Sequence, residues 1–303
     1  MTERFLNWCI SRRGRKAASF MAAGLIGGVA FAHMAPHTIL IEYYVDFLHH
    51  YRKGFAVPLS AETKEKFQKV LDILEVNPER RPFYQPFNIV GFHVGGIGSS
   101  FGKWGIRIGI PANFSYKTET DVDISRITLG GEKLASWETE AGKKLLKSLI
   151  ISENAQNFAI AREIKMRETP KLMIDTFFAT TCSFATYALS RSINTTYNLY
   201  AKPLVVRLIM YSLVTCFTLG NYFFVKDYSQ VHYEQIIDKE LKEKSPELAE
   251  GGKEYYTKLL LRNICLRSIL GKEGERLYSP LGNENSFIRM KTLPLMQRRE
   301  FFE

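Results

Sequence analysis

Arg162 and Met166 lie four residues apart with Glu163 beside the first, and further along Glu234 and Asp238 are also four apart. Residues so spaced share one face of a helix. Two histidines at that spacing, with a glutamate after the first, make the zinc-binding helix of a metalloprotease, the glutamate serving as general base. Here the run reads Arg162-Glu-Ile-Lys-Met166, and no His-Glu-x-x-His occurs anywhere. A guanidinium carries donors only and repels a cation. A thioether is a poor zinc ligand without thiolates. Neither metal nor cofactor is therefore expected. The residue types predict charge pairing instead, with Arg162 standing electrostatically where an ion would stand and meeting Glu163 or Glu234. A solvated charge cluster at a membrane surface is the alternative.

Two helical runs must position these side chains. Ser152 is the expected N-cap of the first, with Ala155, Phe158, Ala159 and Ala161 as its packing face. The second starts near Val231. Between them lie two apolar segments, Leu172–Ser190 and Leu204–Val225, which predict a membrane hairpin. Asp175 and Arg207 interrupt these segments only near their ends. A further apolar run, Ala17–Ala35, follows the basic stretch Arg12–Lys16. It is roughly 19 residues, just enough to cross a ~30 Å hydrocarbon core, and a retained span or a cleaved targeting segment both fit. Helix, hairpin and Glu234-x-x-x-Asp238 follow the layout of membrane metallopeptidases of the CAAX-processing and heat-shock-induced kind. That similarity, a zincin-like scaffold with its ligands lost, is one of layout.

The expected organisation is a basic segment at 1–16, a span at 17–35, a soluble α+β part at 36–170, the hairpin at 171–225 and a helical part at 226–303 packing on 36–170. The fold class is an α+β membrane protein, with about three transmembrane helices and a mostly helical soluble domain carrying a small β-sheet. Thr38–Arg52 is predicted helical, and its His49-His50 pair points about 100° apart, unsuited to one ion. Ser60 caps a helix through Leu74 with Phe67, Val70, Leu71 and Leu74 inward. Phe87–Val94 and Gly105–Ile110 are predicted strands joined as a flexible hairpin. The glycine-rich stretch between them lacks the Lys-Ser/Thr and following helix of a phosphate loop. Ile124–Leu129 with Gly130-Gly131 suggests one more strand and turn, and Ala141–Ile151 a helix. Gly252–Leu270 is a helix whose stripe is Tyr256, Leu259, Leu260, Ile264 and Leu270, with Gly271 after it.

With 46% hydrophobic and 24% charged residues, the chain is too polar to be mostly spans. Its net charge of +10 comes with no nucleic-acid motif, so an anionic membrane surface or an organellar import route accounts for it. The four cysteines have no CxxC spacing, and Cys265 is expected in a core.

The C-terminal block resembles the transmembrane protein 177 family through Lys258-Leu-Leu, Asn263, Leu266-Arg-Ser, Leu270-Gly-Lys, Gly274-Glu, Leu277-Tyr and Pro280 with Gly282-Asn283. Gly109–Phe114 and Phe158–Glu163 are similar to that family's segments too. The resemblance implies a multi-pass mitochondrial inner-membrane protein that assists cytochrome c oxidase subunit II biogenesis together with that subunit's small membrane chaperone. It implies no catalytic residues. Other classes are a metallopeptidase-like scaffold and a small-solute channel, for which Asp175 and Arg207 are too few polar groups. Lys and Arg at 12–16 and at 191–202 predict that the N-terminus and the hairpin loop share the matrix side, with the soluble parts opposite. Gly24, Gly27 and Gly28 are candidates for close packing with partner spans.

Overall fold

A computed structural model describes residues 2–124, 127–129, 132–133, 137–286 and 288–303. The first half runs α1 (Thr2–Ile10), α2 (Arg12–Met34), α3 (Ile41–Leu48), β1 (Tyr51–Arg52), β2 (Phe55–Ala56), α4 (Ala61–Ile73), β3 (Tyr84–Ile89), β4 (Gly95–Gly98) and β5 (Ile106–Pro111). Then come β6 (Thr128–Leu129), β7 (Glu132–Lys133), α5 (Glu140–Leu149), α6 (Glu153–Glu168), α7 (Lys171–Thr196), α8 (Leu204–Lys244), α9 (Pro246–Ile269), α10 (Lys272–Leu277) and α11 (Leu295–Glu300). The chain is divided into two compact units, Met1–His37 with Pro170–Ser229, and Thr38–Thr169 with Gln230–Glu303.

Three helices are long and apolar enough to cross a membrane: Arg12–His37, Lys171–Thr196 and Leu204–Lys244. Ser11 caps α2 by accepting from the Gly14 amide. In the first unit α2 packs on α7, where the Ser19 and Tyr187 hydroxyls meet at 2.6 Å. Thr186 and Thr218 pair at 2.6 Å, and Asn194 donates to the Tyr211 hydroxyl at 2.8 Å. Polar side chains in apolar surroundings thus satisfy one another. Asp175 is buried, paired with Lys171 and accepting from Ser229. Gly24, Gly27 and Gly28 are exposed, with nothing within 4 Å of where a Cβ would stand, so among the described residues no helix packs on them. The expected break between the second apolar segment and the helix after it is absent. With no Pro or Gly from Val225 to Val231, the hydrogen-bond ladder continues and α8 is one 41-residue helix.

The second unit is built round α6, which α4, α9 and the β3-β5-β4 sheet surround. Ser152 caps it as expected. Ala155, Phe158, Ala159 and Ala161 are buried, and so are Ile160 and Ile164 on its other sides. Ser60 caps α4, whose Phe67, Val70 and Leu71 are fully buried.

Two sequence expectations change here. The helix predicted over Thr38–Arg52 ends at Leu48, and Tyr51–Arg52 turns back on Phe55–Ala56. Lys53 and Gly54 both take positive φ, the conformation a two-residue hairpin turn demands. The flexible hairpin expected between 87 and 110 is instead a mixed sheet. β3 lies parallel to β5, from Tyr84↔Ile106 to Ile89↔Pro111, and Gly95–Gly98 forms a third strand antiparallel to β5. Glycines carry no alternation from which a strand could be read, yet the packing needs one of them. A Cβ on Gly96 would come 2.6 Å from Glu163 Oε1 and 2.9 Å from Arg167 Cγ. Thr128–Leu129 pairs antiparallel with Glu132–Lys133; the expected turn at Gly130-Gly131 lies outside the described residues.

On α9, Tyr256 and Leu260 are inward as expected, but Ile264 is 40% exposed. Gly251, Gly252, Asn263 and Cys265 are buried instead. The C-terminal segment covers that side. Asn263 Nδ2 donates to the Gly282 carbonyl at 2.8 Å and Arg267 to that of Tyr278 at 2.6 Å. Gly282 has φ +85°, and a Cβ there would lie 2.5 Å from the Leu260 carbonyl oxygen. The motif residues of the C-terminal block therefore fasten a turn to α9.

Gly251 lets α9 reach the first turn of α6, for a Cβ there would sit 2.2 Å from the Asn154 carbonyl oxygen. Gly251→Ala should cost about 1–3 kcal/mol by overpacking. Thermal melts of the full chain in detergent would show Tm several degrees lower; an unshifted melt would mean that the two helices part without loss.

Candidate functional site

Glu234 and Asp238 share one face of α8 and are turned into the second unit, 1% and 0% exposed. A charged group so far from water must be neutralised and its lone pairs filled. The principal neutralising group is Arg298, on the six-residue helix α11 and itself 3% exposed. Its guanidinium holds Asp238 in a two-pronged grip, Nε to Oδ2 at 2.7 Å and Nη2 to Oδ1 at 2.9 Å. Its remaining nitrogen lies 3.1 Å from Glu234 Oε1. Arg162, from α6, reaches the same Glu234 oxygen at 3.2 Å.

Neutral donors complete the cluster. Tyr256 gives its hydroxyl to Asp238 at 2.8 Å, and its ring lies 4.7 Å beneath the Arg298 guanidinium. Gln230 donates to Glu234 Oε1 at 2.9 Å, and the Leu293 amide to Oε2 at 2.8 Å. Two cations thus balance two anions, and each carboxylate oxygen already accepts a hydrogen bond. Burial pushes the Tyr256 phenol well above its ordinary range, keeping it a donor. Burial alone would lower Arg162, but Tyr256, Asp238, Glu234 and Glu163 together hold it above its usual value. Burial and the neighbouring Arg162 act downward on Arg298 too, and Tyr256 and Asp238 outweigh them.

The pairing of Arg162 with Glu234 is made; its pairing with Glu163 is not. Adjacent helical residues point apart, and Glu163 meets Arg167 one turn on, at 3.1 Å, against the sheet. Met166 is a core residue, 4% exposed. Nor is the group a solvated cluster, since its acids are shut off from water. Among the described residues no three His, Cys, Asp or Glu are grouped to hold a metal ion. A cavity of about 370 Å³ opens beside the cluster, with Arg162, Glu234 and Arg298 in its wall.

Sequence reasoning missed Arg298, Tyr256 and Gln230. The tail reads as merely charged. The signal in it is Leu293-Pro-Leu-Met, an apolar start with proline before the first turn, which can seat a short helix on a core.

The family described as transmembrane protein 177 matches residues 94–293. The transmembrane protein 177 of Xenopus laevis is 31% identical over 300 residues, covering 98% of this chain and 94% of the relative. That of Homo sapiens is 31% identical over 281 residues, covering 92% and 88%, and that of Danio rerio 29% over 259, covering 85% and 83%. No solved structure matches significantly. The chain belongs to the transmembrane protein 177 family.

Removing Arg298 takes from Asp238 the one cation paired with it among the described residues, and from Glu234 one of two, whereas removing Arg162 leaves both carboxylates in contact with Arg298 and Glu234 its bonds from Gln230 and Leu293. Arg298→Met should therefore cost about 3–5 kcal/mol, and Arg162→Met less, about 1–3 kcal/mol. Pairing Arg298→Met with Asp238→Leu should recover part of the loss. Denaturation of the four proteins checks this; equal losses for the two single variants would refute the ranking.

Proposed function

From its family membership we propose that the chain is a non-enzymatic assembly factor of the mitochondrial inner membrane. It stabilises newly made cytochrome c oxidase subunit II together with that subunit's small membrane chaperone. Family likeness carries the reading. The use made of the carboxylates supports it: where the layout invites a search for catalysis, Glu234 and Asp238 are committed to guanidinium groups that tie α6, α8 and α11 together. A scaffold needs that rigidity, and a general base must come within reach of the proton it takes, whereas these carboxylates are 1% and 0% exposed.

The spans supply the surface for such work. Phe20, Leu25, Phe177, Phe184, Leu213 and Phe217 are exposed large apolar side chains on the three long helices, suited to lipid or to another protein's spans. The exposed Gly24, Gly27 and Gly28 would admit a partner helix closely. In the proposed orientation the N-terminus and the 191–202 loop face the matrix, and the soluble parts face the intermembrane space.

Crosslinking during mitochondrial translation, followed by pull-down of the tagged chain, tests the assignment. Newly synthesised oxidase subunit II and its chaperone should be recovered, and bulky substitutions at Gly24 and Gly28 should reduce that recovery. A pull-down without the new subunit would remove the assignment; unchanged recovery from the glycine variants would remove only the docking face.

A further inference from the structure

We propose that the first unit binds an anionic phospholipid, its phosphate held by basic residues at one end of the spans and an acyl chain lying in an adjoining groove. Two neighbouring cavities, which share three lining residues, carry this. The first, of about 760 Å³, is lined by Arg12, Arg15 and Lys16 at the start of α2, by Arg191 late in α7, and by Arg207 early in α8. No Asp or Glu lines it. Among the described residues none of these five cations makes an ion pair. Arg15 lies 5.2 Å over the Tyr200 ring, and Arg191 donates only to the Tyr187 hydroxyl at 3.3 Å. The Arg207 Nε is buried without a hydrogen-bond partner, and so is Asn194 Oδ1, an acceptor that a headgroup hydroxyl can satisfy.

Basic residues flank the spans of many membrane proteins on the side from which they insert. That rule places the charges at one end; it does not gather them round a cavity, nor set an apolar cavity beside it. The second cavity, of about 600 Å³, shares Tyr187, Ser190 and Tyr211 with the first. It continues between the spans past Ala22, Leu25, Ile26 and Val29 to His33. Most of its hydroxyls are already engaged, Ser183 with the Ala179 carbonyl and Thr186 with Thr218 among them, so the groove offers a guest mainly carbon. From Ala22 to His33 the helix rises roughly 16 Å, close to one leaflet of a ~30 Å core. A charged head pocket leading into an apolar trough one leaflet deep fits a phosphodiester lipid. Free phosphate would leave the trough unused.

The full chain, purified in mild detergent, would be incubated with palmitoyl-oleoyl phosphatidylglycerol or with the phosphatidylcholine of the same chains. Lipids retained would be counted by native mass spectrometry. The glycerol lipid should be held in preference by about tenfold or more, and Arg191→Gln with Arg207→Gln should abolish most of that preference. Ala22→Trp fills the trough without touching a charge, and should lose the lipid while Tm in detergent alone is kept. If the double variant does not fold, this second variant decides. Equal retention of both lipids, unchanged retention in Ala22→Trp, or displacement by excess inorganic phosphate would each overturn the assignment. No client protein is needed, so the outcome is independent of the assembly role.

Discussion

Two carboxylates one helical turn apart, with no access to water, impose a demand on everything round them. Glu234 and Asp238 are tolerable on α8 only because Arg298 and Arg162 come to them from α11 and α6, and Tyr256 from α9. Four elements are thereby brought to one point. The apolar core of Phe158, Ile237, Leu241 and Leu248 supplies the greater part of the burial, but many packings could bury those side chains equally well. Far fewer leave no charge unmatched. Such a cluster adds little net stability and much discrimination between the right arrangement and near alternatives.

The same economy governs the rest of the second unit. Where backbone must come close, the chain uses glycine: Gly96 against Glu163 and Arg167, Gly251 against the first turn of α6, Gly282 against Leu260. These are the places where a side chain would force the helices and the sheet apart. In the first unit the corresponding device is mutual hydrogen bonding, Ser19 with Tyr187 and Thr186 with Thr218, which lets polar groups stay in apolar surroundings.

Much of this was legible in the residues. The caps at Ser60 and Ser152 were, because a cap is a local interaction with a local signature. So were the three long apolar helices and the inward face of α4. Residue type and helical spacing leave Arg162 a choice of Glu163 or Glu234, and only the fold decides for Glu234. What escaped was whatever depends on residues far apart in the chain. The strand at Gly95–Gly98 has no side-chain period to betray it, and its place in the sheet depends on α6. Periodicity alone turns Ile264 inward, but the segment around Gly282 covers another side of α9. Arg298 looked like one more surface cation, since nothing nearby says that its partner is Asp238.

That separation has a consequence in time. Asp238 and Arg298 are 60 residues apart. Whenever the chain is delivered N-terminus first, the acid therefore arrives before its counter-ion. During that interval the helix bearing Glu234 and Asp238 has strong reason to stay hydrated, and the α6–α9 core has reason not to close over it. The short helix that carries Arg298 therefore acts as the clasp of the second unit.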